Sequence, residues 1–209
     1  MNHIKLAIIR EDKVPIDKRC AIIPSQAREI QEKFPNTKIV FQPSSVRAFT
    51  ADEYYKEGID SQEDIQDCDI LVGVKEVPIA NLIANKTYFF FSHTIKKQTY
   101  NQKLLRAIVD KDIRLIDYEC LVNADGQRII AFGRYAGIVG AYNAIWTYGK
   151  RTSLFHLKRA KDCFDLAALK QEFAKVQLPP AKIILTGGGR VAKGAMEVLD
   201  GMNVRKVSP

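Results

Sequence analysis

The 209-residue sequence predicts an α/β fold: a doubly wound, mainly parallel sheet, followed by the start of a second domain of similar design. Three observations point to it. Short apolar, β-branched runs alternate with helical patterns from the first residues onward, the rhythm of strand–helix–strand units. Polar side chains gather where those runs end. Residues 182–209 open with another apolar run and a glycine-rich turn that leads into a helical pattern.

Taken in order, residues 4–9 read as a strand, 25–34 as a helix entered through Pro24, and 38–41 as a strand. Thr50-Ala-Asp-Glu53 and Ser61-Gln-Glu-Asp64 both have the form of capping boxes, a hydroxyl facing an acid three positions on. Residues 69–74 form a strand, 79–84 a short helix and 87–91 another strand. Leu104, Leu105 and Ile108 share one face of a helix over 98–111, and 113–116 is a strand. Ala124-Asp-Gly-Gln127 reads as a tight turn between two short extended pieces. Residues 133–149 form a long helix whose Gly133, Gly137 and Gly140 or Ala141 allow close approach of another backbone, between domains or in a homo-oligomer. A basic stretch, a helix over 166–176 and the stiff Pro179-Pro180 pair follow. The expected domains are therefore 1–135, an interdomain helix and linker over 136–180, and a first β-α-β piece of a second domain over 181–209.

Composition excludes several classes. No apolar stretch approaches the roughly 20 residues of a membrane span. The first apolar run, Leu6 to Ile9, is too short for a signal-peptide core, so the cytosol is the expected compartment. The four cysteines are far apart without a Cys-x-x-Cys pair, which argues for free thiols and no metal. The net charge of +8 is uneven: residues 1–149 carry 20 Lys+Arg against 19 Asp+Glu, and 150–209 carry 12 against 5. That basic segment lacks the interleaved aromatics of a single-strand-binding platform, so nucleic acid is not an expected partner.

The glycine stretch carries more. Gly187-x-Gly189-x-x-Ala192 fits the dinucleotide fingerprint with Ala in the third place, and Arg190 and Val191 begin the helix. The first Gly allows the tight turn, the second lets a pyrophosphate approach the backbone, and the helix N-terminus faces the phosphates. NAD is the expected cofactor, with NADP equally compatible. The acid that would hold the ribose belongs about 20 residues further on. That falls at or past Pro209, so the sequence reads as a piece of a longer two-domain enzyme, inactive by itself.

Four polar clusters mark strand ends: Arg19 in EDKVPIDKRCAIIPSQ, Lys75 and Glu76 in ILVGVKEVP, His93 in YFFFSHTIKK, and Glu119 in IRLIDYECL, with Arg128 shortly after. Ligands of open α/β sheets bind beyond the carboxyl ends of the strands. Taken singly, each residue also has a structural reading as a solvated lysine, a hydrogen-bonded histidine or an ion pair. Jointly, a lysine that desolvation can bring toward neutrality and a histidine supply two bases, and arginines clamp carboxylates. This set suits oxidation or reduction at the carbon–nitrogen bond of an amino acid, with nicotinamide carrying the hydride.

The segments IIREDKVPIDKRCAIIPSQ, LVGVKEVP, YFFFSHTIKKQ, LIDYECLVNADGQRIIAFGRYAGIVGA and IILTGGGRVAKGA, in this order, resemble the N-terminal portion of the alanine dehydrogenase/transhydrogenase superfamily. The lysine-forming saccharopine dehydrogenase branch is the most similar. The resemblance implies two Rossmann-like domains with the active site in the cleft between them, and conversion of saccharopine to lysine and 2-oxoglutarate. It implies that Lys75 and His93 are the acid–base pair, one deprotonating the secondary amine and the other activating water to hydrolyse the imine. Arg19 and Arg128 match positions that hold substrate carboxylates, and Glu76 and Glu119 match acids that tune the basic pair. AFGRYAGIVGA lacks the Met-Ser-Glu start of alanine dehydrogenases, which favours the saccharopine branch, yet Arg134 stands where that pattern is apolar. Oxidative deamination of the alanine dehydrogenase kind and a non-catalytic amino-acid-binding domain are the alternatives.

Overall fold

The computed structural model describes residues 3–202 and 204–207. The chain divides into two compact units, between Ile130 and Ala131.

The first unit is built on six parallel strands: β1 (Ile4–Ile8), β2 (Thr37–Phe41), β3 (Asp60–Ser61), β4 (Ile70–Val72), β5 (Thr87–Phe90) and β6 (Arg114–Asp117). Their spatial order is β3-β2-β1-β4-β5-β6, the Rossmann order, with its switch point between β1 and β4. Sheets of this kind are covered on both faces, which explains the near-continuous apolar strands read from the sequence. Alternate residues supply the two layers. On one face Ala7, Val40, Leu71, Tyr88 and Phe90 pack with Leu104 and Ile108 of α3 (Gln102–Asp110). On the other, Ile8, Ile39 and Phe41 pack with Ala27 of α1 (Pro24–Lys33) and Tyr54 of α2 (Ala51–Lys56). The Thr50 capping box forms as expected, with Glu53 N–H donating to Thr50 Oγ1 and Glu53 Oε2 accepting from Thr50 N–H.

The second expected capping box does not form. Ser61 ends β3, and Gln62 N–H bonds to Phe41 O, so the sheet edge takes the backbone that a helix would have needed. Residues 79–84 yield only a 3₁₀ turn, Ile79–Asn81.

In the second unit α4 (Gly133–Thr152) packs along α6 (Arg190–Gly201), with α5 (Leu166–Gln171) completing the core. A Cβ at Gly137 would lie 1.9 Å from Val191 O, and one at Gly194 2.0 Å from Arg134 O. These two glycines therefore let the helices touch backbone to backbone. At Gly140 a Cβ would meet nothing, so only part of the small-residue face read from the sequence is used. The compact units part at Ile130, five residues before the expected boundary at 135, and residues of the segment expected as interdomain helix and linker pack with α6. The strand expected at 183–185 is not formed. Ile183, Ile184 and Leu185 are 43, 87 and 39% exposed, because a strand needs a neighbour to hydrogen-bond and none of the described residues provides one. No helix among the described residues is long and apolar enough to cross a membrane.

Candidate active site

The strand register brings the site together. Val72 lies opposite Phe89, so Glu76 and His93, each four residues further on, come abreast. Phe90 lies opposite Asp117, which levels Ser92 with Glu119. Val74, Phe91 and Tyr118 pack as a small apolar floor under these loops.

His93 stands between two carboxylates. Its Nδ1 is 2.9 Å from Glu119 Oε2, and its Nε2 is 3.8 Å from Glu76 Oε1. Lys96 Nζ, which only donates, lies 3.1 Å from the same Nδ1, but the Glu119 contact is the shorter and Lys96 has Glu119 Oε1 at 3.3 Å as its acceptor, so we assign the proton of a neutral His93 to Nδ1, where the carboxylate accepts it. Both acids are nearly buried, at 9 and 8% side-chain exposure, and each has a cationic partner. Lys13 Nζ is 2.5 Å from Glu76 Oε2, while Lys96 Nζ and Arg128 Nη1 lie 3.3 and 3.5 Å from Glu119 Oε1. Burial pushes the Glu119 carboxyl up, but the His93 hydrogen bond and the charges of His93 and Lys96 outweigh it and hold the group below its ordinary range.

Lys75 belongs to a neighbouring charged group. Glu11, on the loop after β1, accepts hydrogen bonds from Val74 N–H at 2.6 Å and Lys75 N–H at 2.9 Å, one on each oxygen. This clamp fixes the peptide that presents Lys75. Gly73 makes it possible: a Cβ there would come 2.8 Å from Ile9 Cδ1 and 3.3 Å from Glu11 Oε1. Burial raises the Glu11 carboxyl, with the two backbone N–H groups and Arg19 pulling against it. Arg19 is held by Asp17 in a two-pronged pair, Nε to Oδ1 at 2.9 Å and Nη2 to Oδ2 at 2.5 Å. That hydrogen bond, aided by the charges of Arg19 and Lys75, keeps Asp17 low against the opposing effect of burial.

Lys75, Glu76 and Glu11 line a cavity of about 270 Å³ at the switch point, with Arg10, Gln42 and Asn81. Among the described residues, its lining does not include His93, Arg19, Glu119 or Arg128. The structure thus gathers His93, Glu76, Glu119 and Arg128 tightly and sets Lys75 and Arg19 around Glu11 and Asp17, with Glu76 shared between cavity and histidine. Sequence reasoning missed Glu11, Lys13 and Lys96. Glu11 sits in the same strand-end cluster as Arg19, but nothing in its spacing separates it from the acids beside it.

In the second unit Gly187 has φ of +91°, in the region that favours glycine, and Gly189 precedes α6 without a side-chain cap. A Cβ at either would meet no atom within 4 Å, so a ligand can reach this backbone freely. Arg190, Val191 and Ala192 form the first turn of the helix.

Fold and site together define a Rossmann-ordered α/β domain with an acid-flanked histidine at the carboxyl ends of its strands. The chain belongs to the family described as alanine dehydrogenase/PNT, N-terminal domain, which matches residues 7–139. It is 35% identical to the mitochondrial alpha-aminoadipic semialdehyde synthase of Mus musculus over 222 residues, covering 98% of this chain and 24% of that protein. It is 27% identical to the NAD(+), L-lysine-forming saccharopine dehydrogenase of Candida glabrata, covering 90% of this chain and 49% of that one. The chain therefore spans about a quarter to a half of the length of these relatives. A solved L-alanine dehydrogenase shares the fold with a TM-score of 0.70 at 15% identity, over 97% of this chain and 53% of its own.

Proposed function

We propose that this chain forms the substrate half of an NAD-dependent amino-acid oxidoreductase acting on a carbon–nitrogen bond, of the saccharopine-to-lysine type. The observation that carries the reading is His93 Nδ1 bonded to Glu119, which turns Nε2 toward Glu76, the neighbour of Lys75 in the same loop. In this reading Lys75 Nζ takes the proton of the secondary amine of saccharopine. His93 Nε2 then takes a proton from water as it adds to the substrate imine carbon. Arg19 and Arg128 hold substrate carboxylates, exchanging part of their pairing with Asp17 and Glu119 for the ligand.

The open backbone at Gly187 and Gly189 and the first turn Arg190–Ala192 fit the pyrophosphate of NAD, which when bound supplies the hydride acceptor. The same turn would also hold NADP. The family resemblance and the names of the relatives support the substrate class. We place the protein in the cytosol, where its four free cysteines stay reduced; organelle import, as the name of the mouse relative indicates for that protein, is the alternative that fractionation would reveal.

The test is NADH oxidation with lysine and 2-oxoglutarate, in the natural polypeptide that carries this chain. Lys75→Met and His93→Gln should each lower kcat by about 10²-fold or more while substrate binding changes little. Unchanged turnover in both variants overturns the acid–base assignment. Turnover of alanine instead moves the reading to the other branch, and amino-acid binding without any turnover makes the domain a binding module.

A further inference from the structure

Asp117 closes β6 with its side chain buried, and none of the chemistry above uses it. We propose that Asp117 is the positioning residue that sets His93 against Glu119, acting through the Ser92 hydroxyl and the Glu119 amide. The two carboxylate oxygens serve different loops. Oδ2 accepts a hydrogen bond from the Oγ of Ser92, which is completely buried in the loop after β5. Oδ1 accepts from Glu119 N–H at 2.9 Å, in the loop after β6. One carboxylate therefore ties the histidine loop to the loop of its acid partner.

The tie reaches His93 from both sides. With its own proton committed to Asp117, Ser92 Oγ is an acceptor; Thr94 N–H reaches it at 3.1 Å and Thr94 Oγ1 lies at 2.7 Å. His93, between them, has φ of +56°, a conformation disfavoured for any side-chain-bearing residue and kept only where the surroundings impose it. Asn101, also buried, donates from Nδ2 to His93 O at 3.1 Å, and Phe91 stacks on the imidazole at 6.3 Å between centroids. A turn held in this way keeps Nδ1 2.9 Å from Glu119 Oε2, with the Lys96 ammonium 3.1 Å from the same nitrogen as the competing donor, so the Glu119 contact that the turn maintains is what favours the proton on Nδ1. Without Asp117 the Ser92 hydroxyl reorients, the Glu119 amide loses its partner, and the two loops are free to part.

Side-chain nitrogen NMR of the full chain reads this directly, because the sequence holds only three histidines and His93→Gln assigns the signal. Under conditions where the spectrum shows a neutral ring, the wild type should be chiefly the Nδ1–H tautomer. Asp117→Ala and Ser92→Ala should lower the ratio of Nδ1–H to Nε2–H by about fivefold, the worth of roughly one hydrogen bond. Asp117→Asn should stay within about twofold of wild type, since its Oδ1 still accepts from Glu119 N–H and its amide can donate to Ser92 Oγ. A wild-type ratio in folded Asp117→Ala and Ser92→Ala, or an Asp117→Asn that behaves like alanine, overturns the proposal. Should Asp117→Ala fail to fold, the other two variants decide it by the same criteria. This spectroscopic readout does not depend on the proposed reaction. A second readout rests on that reaction: Ser92→Ala should lower kcat about tenfold with little change in KM, as expected when only the geometry of the base is disturbed.

Discussion

At the scale of single residues, the site is a chain of alternating charges, and its pH response follows from the placement of Glu119. The folded carboxyl lies below its ordinary 4.5, so on acidification the unfolded chain takes up this proton first. The group thus contributes stability that is fully present above about 4.5 and is lost as pH falls through the lower folded value. Glu119→Gln keeps the size of the side chain and removes this dependence. Urea unfolding measured from pH 6 down to about 3 should show a shallower acid limb for the variant than for wild type. Parallel limbs would mean that the His93 and Lys96 contacts add nothing to the folded state. The residue types at His93, Glu76 and Glu119 were legible in the sequence because each ends an apolar strand. The division of labour was not. It depends on register: Glu76 rather than Lys75 comes level with His93, and that follows from pairing Val72 with Phe89.

At the scale of elements, strands announce themselves by composition, whereas elements that depend on partners do not. The central strands were legible because their apolar runs are buried on both faces. The run at 183–185 has the same composition but no neighbouring strand among the described residues, and it stays irregular. The Ser61 motif failed for the opposite reason, since a neighbouring strand was present and captured it. The crossing of α4 and α6 shows how finely such context acts. Gly137→Ala places a methyl group 1.9 Å from a backbone oxygen, which no rotamer change can relieve, so the helices must separate. The expected loss is about 3 kcal/mol, at the upper end for overpacking. Gly140→Ala, one turn on, meets open space and should be neutral or gain up to about 1 kcal/mol from helix propensity. Thermal unfolding of the two variants checks both signs; equal effects would show that the backbone contact is not made.

At the scale of the whole molecule, the two units differ in both charge and self-sufficiency. Residues 1–130 carry 19 Lys+Arg against 19 Asp+Glu, and residues 131–209 carry 13 against 5. The entire excess of positive charge therefore lies in the unit with the glycine-rich turn, where it would draw in an anionic ligand. The first unit holds its complete six-stranded order, and its three apolar clusters use no residue beyond Ile130. A domain of this size with covered sheet faces has enough core to fold alone. A polypeptide of residues 1–130 should thus unfold in one cooperative thermal transition, with dispersed amide resonances and the His93 tautomer of the full chain, because every group found to hold that ring lies within it. Its net charge near zero predicts a price in solubility around neutral pH that the full chain, at +8, avoids. A broad, non-cooperative transition, or a His93 signal typical of free histidine in an otherwise folded fragment, would show that the second unit helps to build the site.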